Sequence, residues 1–240
     1  AAALTGWAIA ALTAIGIANA SAPGPPVQRP MKHVVIDRTI SDVPLFTGAF
    51  EDDKEGLGYG MLEQWIPRVG NRISRETGPS VFRSDGIVIS CPTGSVREEY
   101  RRRLMQYVES GGNLLVFDSP DVEGSTANDV LWLFGISSSN AMANQIAGNL
   151  TWPDAENVPE LELAASCHIT GGEPIARIGE VPVAAQVRYG SGTVTAVGFG
   201  SLFNDAAMGT HWLQEPLPET RSIYEVLYHL LRVAGLGDGS

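Results

Sequence analysis

The sequence predicts an α/β domain on a mainly parallel sheet, and three stretches predict it. Gly86-Ile-Val-Ile-Ser90 and Leu114-Leu-Val-Phe117 are short apolar runs, the pattern of strands buried on both faces. Between them Val96, Tyr100, Leu104, Tyr107 and Val108 recur at helical spacing on one face, with Arg101 to Arg103 covering part of the rest. Two buried strands joined by a helix make a right-handed βαβ unit with a parallel sheet. The punctuation agrees. Pro92, Thr93 and Gly94 stop the first strand, and Ser95, three residues before Glu98, predicts a capping box. Gly111 and Gly112 end the helix, and Asp118-Ser-Pro-Asp121 ends the second strand on polar residues.

Taken from the start, residues 1–20 carry no charge and are about as long as a bilayer core requires, roughly 20 residues. A transmembrane helix is the leading expectation. A signal-peptide remnant, suggested by Ala18-Asn-Ala20, and a partner-packed helix stay open beside it. The lack of an initiator Met and of a basic leader predicts that the native chain continues upstream. Residues 21–30 form a Pro-rich linker, and the folded domain is expected over 31–236. His33 to Asp37 reads as a buried strand ending in an acid, Leu57 to Val69 as a helix, and Arg72 to Arg75 as a short edge strand. After the central unit, Asn128 to Phe134 reads as a helix closed by Gly135, with Trp132 and Phe134 on its core side. Ser137 to Asn149 is polar without periodicity. Leu161-Glu-Leu and His168-Ile-Thr are short extended pieces. Glu180 to Phe199 reads as a hairpin turned at Tyr189-Gly-Ser-Gly192, and Ser222 to Ala234 as a final amphipathic helix.

Composition excludes some functions. The formal charge of -11 disfavours nucleic acid as a partner, since phosphate binding needs concentrated Lys and Arg. The one basic cluster, Arg101 to Arg103, sits beside Glu98 and Glu99 as on a solvated helix face. Cys91 and Cys167 lack metal-ligand spacing; one bridge or two unpaired thiols both fit, so the redox compartment stays open. His33, His168 and His229 have no partners at metal spacing. There is no Walker loop and no GxGxxG, so no nucleotide cofactor is expected.

Three segments carry a resemblance to a known family: GIVISCPTGSVREE from Gly86, ESGGNLLVFD from Glu109 and YGSGTVTAVGFGSLFNDAAMG from Tyr189. Over roughly Met31 to Ala234 the chain resembles the class I glutamine amidotransferase-like superfamily. The likeness is to its non-catalytic, membrane-anchored branch, which includes auxiliary proteins of gliding-motility-type ABC transporters. The resemblance implies a flavodoxin-like three-layer sandwich. It also implies where catalysis would sit in a true amidotransferase: a nucleophilic Cys on a sharp turn after the strand at Leu114–Phe117, and a His after the late strand. This chain has Asp118, Ser119 and Pro120 at the first place and Gly200 and Ser201 at the second. Cys91 lies at the earlier strand, so the triad is absent and no catalytic residue is assigned.

Open α/β sheets bind ligands beyond the carboxyl ends of their strands. The residues expected there are Asp37, Arg38, Cys91, Thr93, Asp118, Ser119, Asn204 and Asp205, suited to a polar ligand or a protein, or else merely capping strand ends and helix starts. Asp118, Asp121 and Asp205 lack the D-x-D-x-D pattern of a cation loop, so no metal site is assigned. Trp152, His211 and Trp212 fall in expected loops, where aromatic residues either anchor partners or cover a flank. The leading expectation is a membrane-tethered, non-catalytic binding or assembly subunit of a membrane complex, with its folded domain outside the cytoplasm. The alternatives are a hydrolase, or a small-molecule or sugar sensor, using the crevice around Asp118 and Ser119.

Overall fold

The apolar runs that define the central unit become strands because each can be buried on both faces. In the computed structural model, which describes residues 31–45, 58–139, 145–153, 155, 157–209 and 217–237, β3 (Gly86–Ser90) is buried along its whole length. β4 (Asn113–Phe117) is buried from its second residue on. These residues belong to the compact unit Met31–Ser240. β1 (His33–Asp37) and β2 (Arg72–Glu76) pair in parallel, β1 pairs in parallel with β3, and β3 with β4. The late strand β11 (Gly192–Val197) then joins β4, also in parallel.

From there the sheet changes character. β10 (Val181–Tyr189) turns back on β11 as the expected hairpin. β9 (Glu173–Ile178), β6 (Ile146–Thr151) and β7 (Leu161–Ser166) follow, every contact antiparallel. The order is β2-β1-β3-β4-β11-β10-β9-β6-β7, and β5 (Ser137–Ser139) with β8 (His168–Thr170) makes a separate two-stranded ribbon. The expected mainly parallel, flavodoxin-like sandwich is therefore corrected to a nine-stranded mixed sheet, parallel on one side of β11 and antiparallel on the other. The physical reason lies in residues 137–178. β6 buries only Leu150 and so reads as polar sequence without periodicity, and Leu161-Glu-Leu of β7 reads as an isolated extended piece with nothing to show that it extends the main sheet.

Helices are few among the described residues. α1 (Gly60–Trp65) runs on into a 3-10 turn, Ile66–Val69, that contains Pro67. α2 (Glu98–Glu109) buries Tyr100, Leu104, Tyr107 and Val108, the face expected of it. Its capping box does not form: Arg97 is the N-cap and no side chain caps the turn, while Glu98 and Glu99 still complement the helix dipole. α3 (Ala127–Leu131) and the 3-10 turn Trp132–Phe134 end at Gly135 in the left-handed conformation. Phe134 is buried, but Trp132 is 65% exposed, against its expected core position. α4 (Asp205–Met208) is a single turn and α5 (Pro218–Val233) is the long terminal helix. One core lies between the sheet and α1, α4 and α5, and the other between the sheet and α2 and α3.

The membrane expectation is also corrected. No helix among the described residues is long and apolar enough to cross a bilayer. Residues 1–20, on which the anchor rested, and the linker 21–30 lie outside the described residues. Neither attachment through a membrane segment nor an extracytoplasmic location has support.

Candidate functional site

β3, β4 and β11 end side by side, and the polar residues just past them form one buried cluster. The chain leaves β3 at Cys91, whose φ of 44° is the left-handed region that costs a non-glycine residue energy. Its amide donates to the Phe117 carbonyl at 2.9 Å, which holds the turn against β4. The bend is accommodated from the β11 side by Gly200, where a Cβ would lie 3.0 Å from the Asp118 carbonyl oxygen and 3.1 Å from Cys91 Sγ. Tyr59, just before α1, brings its hydroxyl 3.0 Å from Cys91 Sγ. Burial pushes the Cys91 thiol up to about 12 despite the opposing Tyr59 hydrogen bond, so the group is a protonated thiol at neutral pH and not a nucleophile. Burial likewise pushes the Tyr59 phenol up, with Cys91 adding to it.

Asp118 continues the cluster. Ser125 Oγ donates to its Oδ1 at 2.7 Å and Ser138 Oγ to its Oδ2 at 2.6 Å. Burial raises its carboxyl above the ordinary range, while the Ser138 and Ser125 hydrogen bonds pull the other way. Ser119 Oγ and Ser201 Oγ share a hydrogen bond of 2.8 Å. Cys167 is buried and unbridged, as is Cys91, and burial pushes its thiol up to about 12 as well.

The remaining expected residues serve other local structures. Asp37 is fully buried and accepts from Tyr100 Oη and the Thr39 amide, both at 2.7 Å, tying β1 to α2. Arg38 donates from its guanidinium to the Val43 carbonyl at 2.6 Å, and Thr93 Oγ1 donates to Asp42 at 2.8 Å. Asn204 caps α4 by accepting from the Ala207 amide at 2.8 Å. Asp205 accepts from the amides of Gly60 and Met61 at 3.2 and 2.6 Å, at the start of α1. Of the eight, then, Cys91, Asp118 and Ser119 share the buried cluster. Sequence reasoning missed Tyr59, Ser125, Ser138 and Ser201, which join it from four separate segments; no spacing in the sequence relates them.

Of the two readings of Trp152, the structure supports the covering one over the partner anchor. Trp152 is 8% exposed and packs edge-on against His229 of α5 with ring centroids 4.7 Å apart, so it is a core residue and not a surface anchor. His211 and Trp212 lie outside the described residues. No group of three or more His, Cys, Asp or Glu among the described residues is placed to hold a metal ion. A groove of about 540 Å³, lined by Phe82, Arg102, Arg103, Gln106, Tyr107 and Ser110, runs beside α2 rather than at the strand ends.

No family model and no curated protein matches the chain. Solved structures do. The structure titled "mmIFT52 N-terminal domain" is similar at 13% identity and a TM-score of 0.61, over 86% of this chain and 98% of that one. "Cytoplasmic Protein STM3548 from Salmonella typhimurium" is similar at 14% identity and a TM-score of 0.53, over 82% and 98%. "Exo-beta-1,4-mannosidase Op5Man5 from Opitutaceae bacterium strain TAV5" is similar at 16% identity and a TM-score of 0.51, over 84% of this chain but 36% of that one. None of these titles names an amidotransferase. At such identities the likeness is one of fold, and this fold makes up nearly all of the first two chains and about a third of the third.

Proposed function

We propose that the domain is a non-catalytic binding or assembly module whose strand-end cluster is framework. The observation that carries this is the burial of Asp37, Asp118 and Cys91 together with the internal partners that occupy their polar atoms. A general base or nucleophile must reach a substrate and must ionise near the working pH. Here burial keeps the Cys91 thiol protonated, and Ser125 and Ser138 occupy both carboxylate oxygens of Asp118.

The test is isolation of the tagged protein from its own cells under mild conditions, beside a panel of ester, phosphate and glycoside substrates. The expected result is a protein partner in fixed stoichiometry, retained by the Ser119→Ala and Cys91→Ser variants, with no turnover above the blank. Turnover that disappears in Ser119→Ala would overturn the proposal and return the strand ends to catalysis.

A further inference from the structure

β2 forms one edge of the nine-stranded sheet, and its sequence fits a second copy of itself. The Arg72 amide donates to the Lys32 carbonyl and the Glu76 carbonyl accepts from the Arg38 amide, both at 2.8 Å. Backbone groups alternate sides along a strand, so those of Arg72, Ser74 and Glu76 face β1, and those of Ile73 and Arg75 face outward. No strand among the described residues pairs with that outer side. Such an edge is a template for another extended chain.

The strand reads Arg-Ile-Ser-Arg-Glu. An antiparallel copy centred on Ser74 sets Arg72 opposite Glu76, Ile73 opposite Arg75, and Ser74 opposite itself. Two opposite-charge cross-strand pairs result, the arrangement that stabilises antiparallel pairing. Shifting the centre to Ile73 or Arg75 loses both pairs, so the charges specify one register. Arg72 is exposed, and Glu76 receives a hydrogen bond from Ser74 Oγ at 3.2 Å. The Arg75 guanidinium is held by Glu63 at 2.6 Å on the opposite face and need not move. Charges also blunt an edge against aggregation, but blunting requires no opposite signs at mirrored positions.

We infer that β2 pairs with β2 of a second copy of this chain about a two-fold axis at Ser74, continuing the sheet from one protomer into the next. The inference stands apart from the strand-end reading, because none of the cluster residues takes part in it. Five-residue strands bury little surface, so the dimer dissociates on dilution.

Sedimentation of the full chain over a concentration series tests this. Wild type is expected to show a monomer–dimer equilibrium. Arg72→Glu and Glu76→Arg, each of which sets like charges face to face, are expected to weaken it about tenfold or more. The double reversal R72E/E76R is expected to restore it. A second variant does not depend on the reversals folding. Ser74 faces its own copy at a non-hydrogen-bonded position, where Cα atoms lie about 4.5 Å apart and within disulfide reach. Ser74→Cys is expected to give a covalent dimer on oxidation, and Arg72→Cys, which faces Glu76, is not. A wild-type monomer at every concentration with no Ser74→Cys linkage would overturn the inference. So would a dimer indifferent to both single reversals, or a double reversal that stays weak.

Discussion

A buried thiol keeps its proton because the water that would solvate a thiolate is gone, and Cys91 is such a thiol. Its folded value of about 12 lies well above that of an unfolded thiol, about 8.5. In the native protein, alkylation of Cys91 by iodoacetamide at pH 7.5 is expected to be slow and limited by opening of the fold, then complete within minutes in denaturant. Rapid labelling of Cys91 in the folded protein would contradict the burial argument. The same shift fixes the alkaline behaviour. Between about pH 8.5 and 12 the native state holds a proton that the unfolded state releases, so stability falls as pH rises through that window. Asp118 has the same sign in the acid range. Its folded value is raised, so the native state binds the proton more tightly, and stability at this site rises as pH falls from above the folded value towards the ordinary value near 3.9. Asp118→Asn is expected to remove that contribution. It would be read as a flatter dependence of the urea midpoint on pH between 7 and 4 than in wild type; an unchanged slope would mean that the carboxyl is solvated like any surface acid.

Elements differ in how openly the sequence declares them. β1, β3, β4, β11 and α2 are legible because burial on both faces, or on one face at period 3.6, leaves a pattern that few other structures share. β5, β6 and β9 are not, since a polar triplet such as Ser137-Ser-Ser139 becomes a strand only through a partner about 30 residues away, in this case β8. Trp152 misleads for a related reason. Trp-Pro looks like an exposed corner, but α5 arrives from about 70 residues later and covers it with His229. The expected consequence is a contrast between two tryptophans. Trp152→Ala should cost about 3–5 kcal/mol of unfolding free energy, the range for emptying a large aromatic site. Trp132→Ala should stay within about 0.5 kcal/mol of wild type, as exposed substitutions do. Because Trp152 Nε1 is buried without a hydrogen-bond partner, Trp152→Phe should cost much less than the alanine variant. Equal losses for Trp152→Ala and Trp132→Ala in urea titrations would show that the Trp152 side chain is not packed as described.

At the scale of the described domain, a parallel half and an antiparallel half meet at β11, and the core on the α5 side is common to both. The cluster on the α5 side joins Val34, Ile36 and Val88 of the parallel strands to Leu150, Leu163 and Ile178 of the antiparallel ones, with Val226, Leu227, Leu230 and Leu231 of α5 packed across both. This is also why the strand-end cluster is only partly legible in the sequence: Cys91, Asp118, Ser119 and Ser201 follow strands that declare themselves, whereas Tyr59 and Ser138 arrive through the tertiary fold. A shared core predicts joint unfolding, since neither half can leave without stripping apolar surface from the other. Trp65 and Trp152 report on the two sides. Trp65 ends α1 on the parallel side and stacks on Tyr224 at 3.9 Å, and Trp152 follows β6 on the antiparallel side. Fluorescence of Trp65→Phe and Trp152→Phe proteins, each lacking one reporter, should give a urea transition that coincides with its own far-ultraviolet dichroism. Non-coincident midpoints, with one half melting first, would mean that the β10–β11 junction is a boundary between two cooperative units and that α5 holds only one of them.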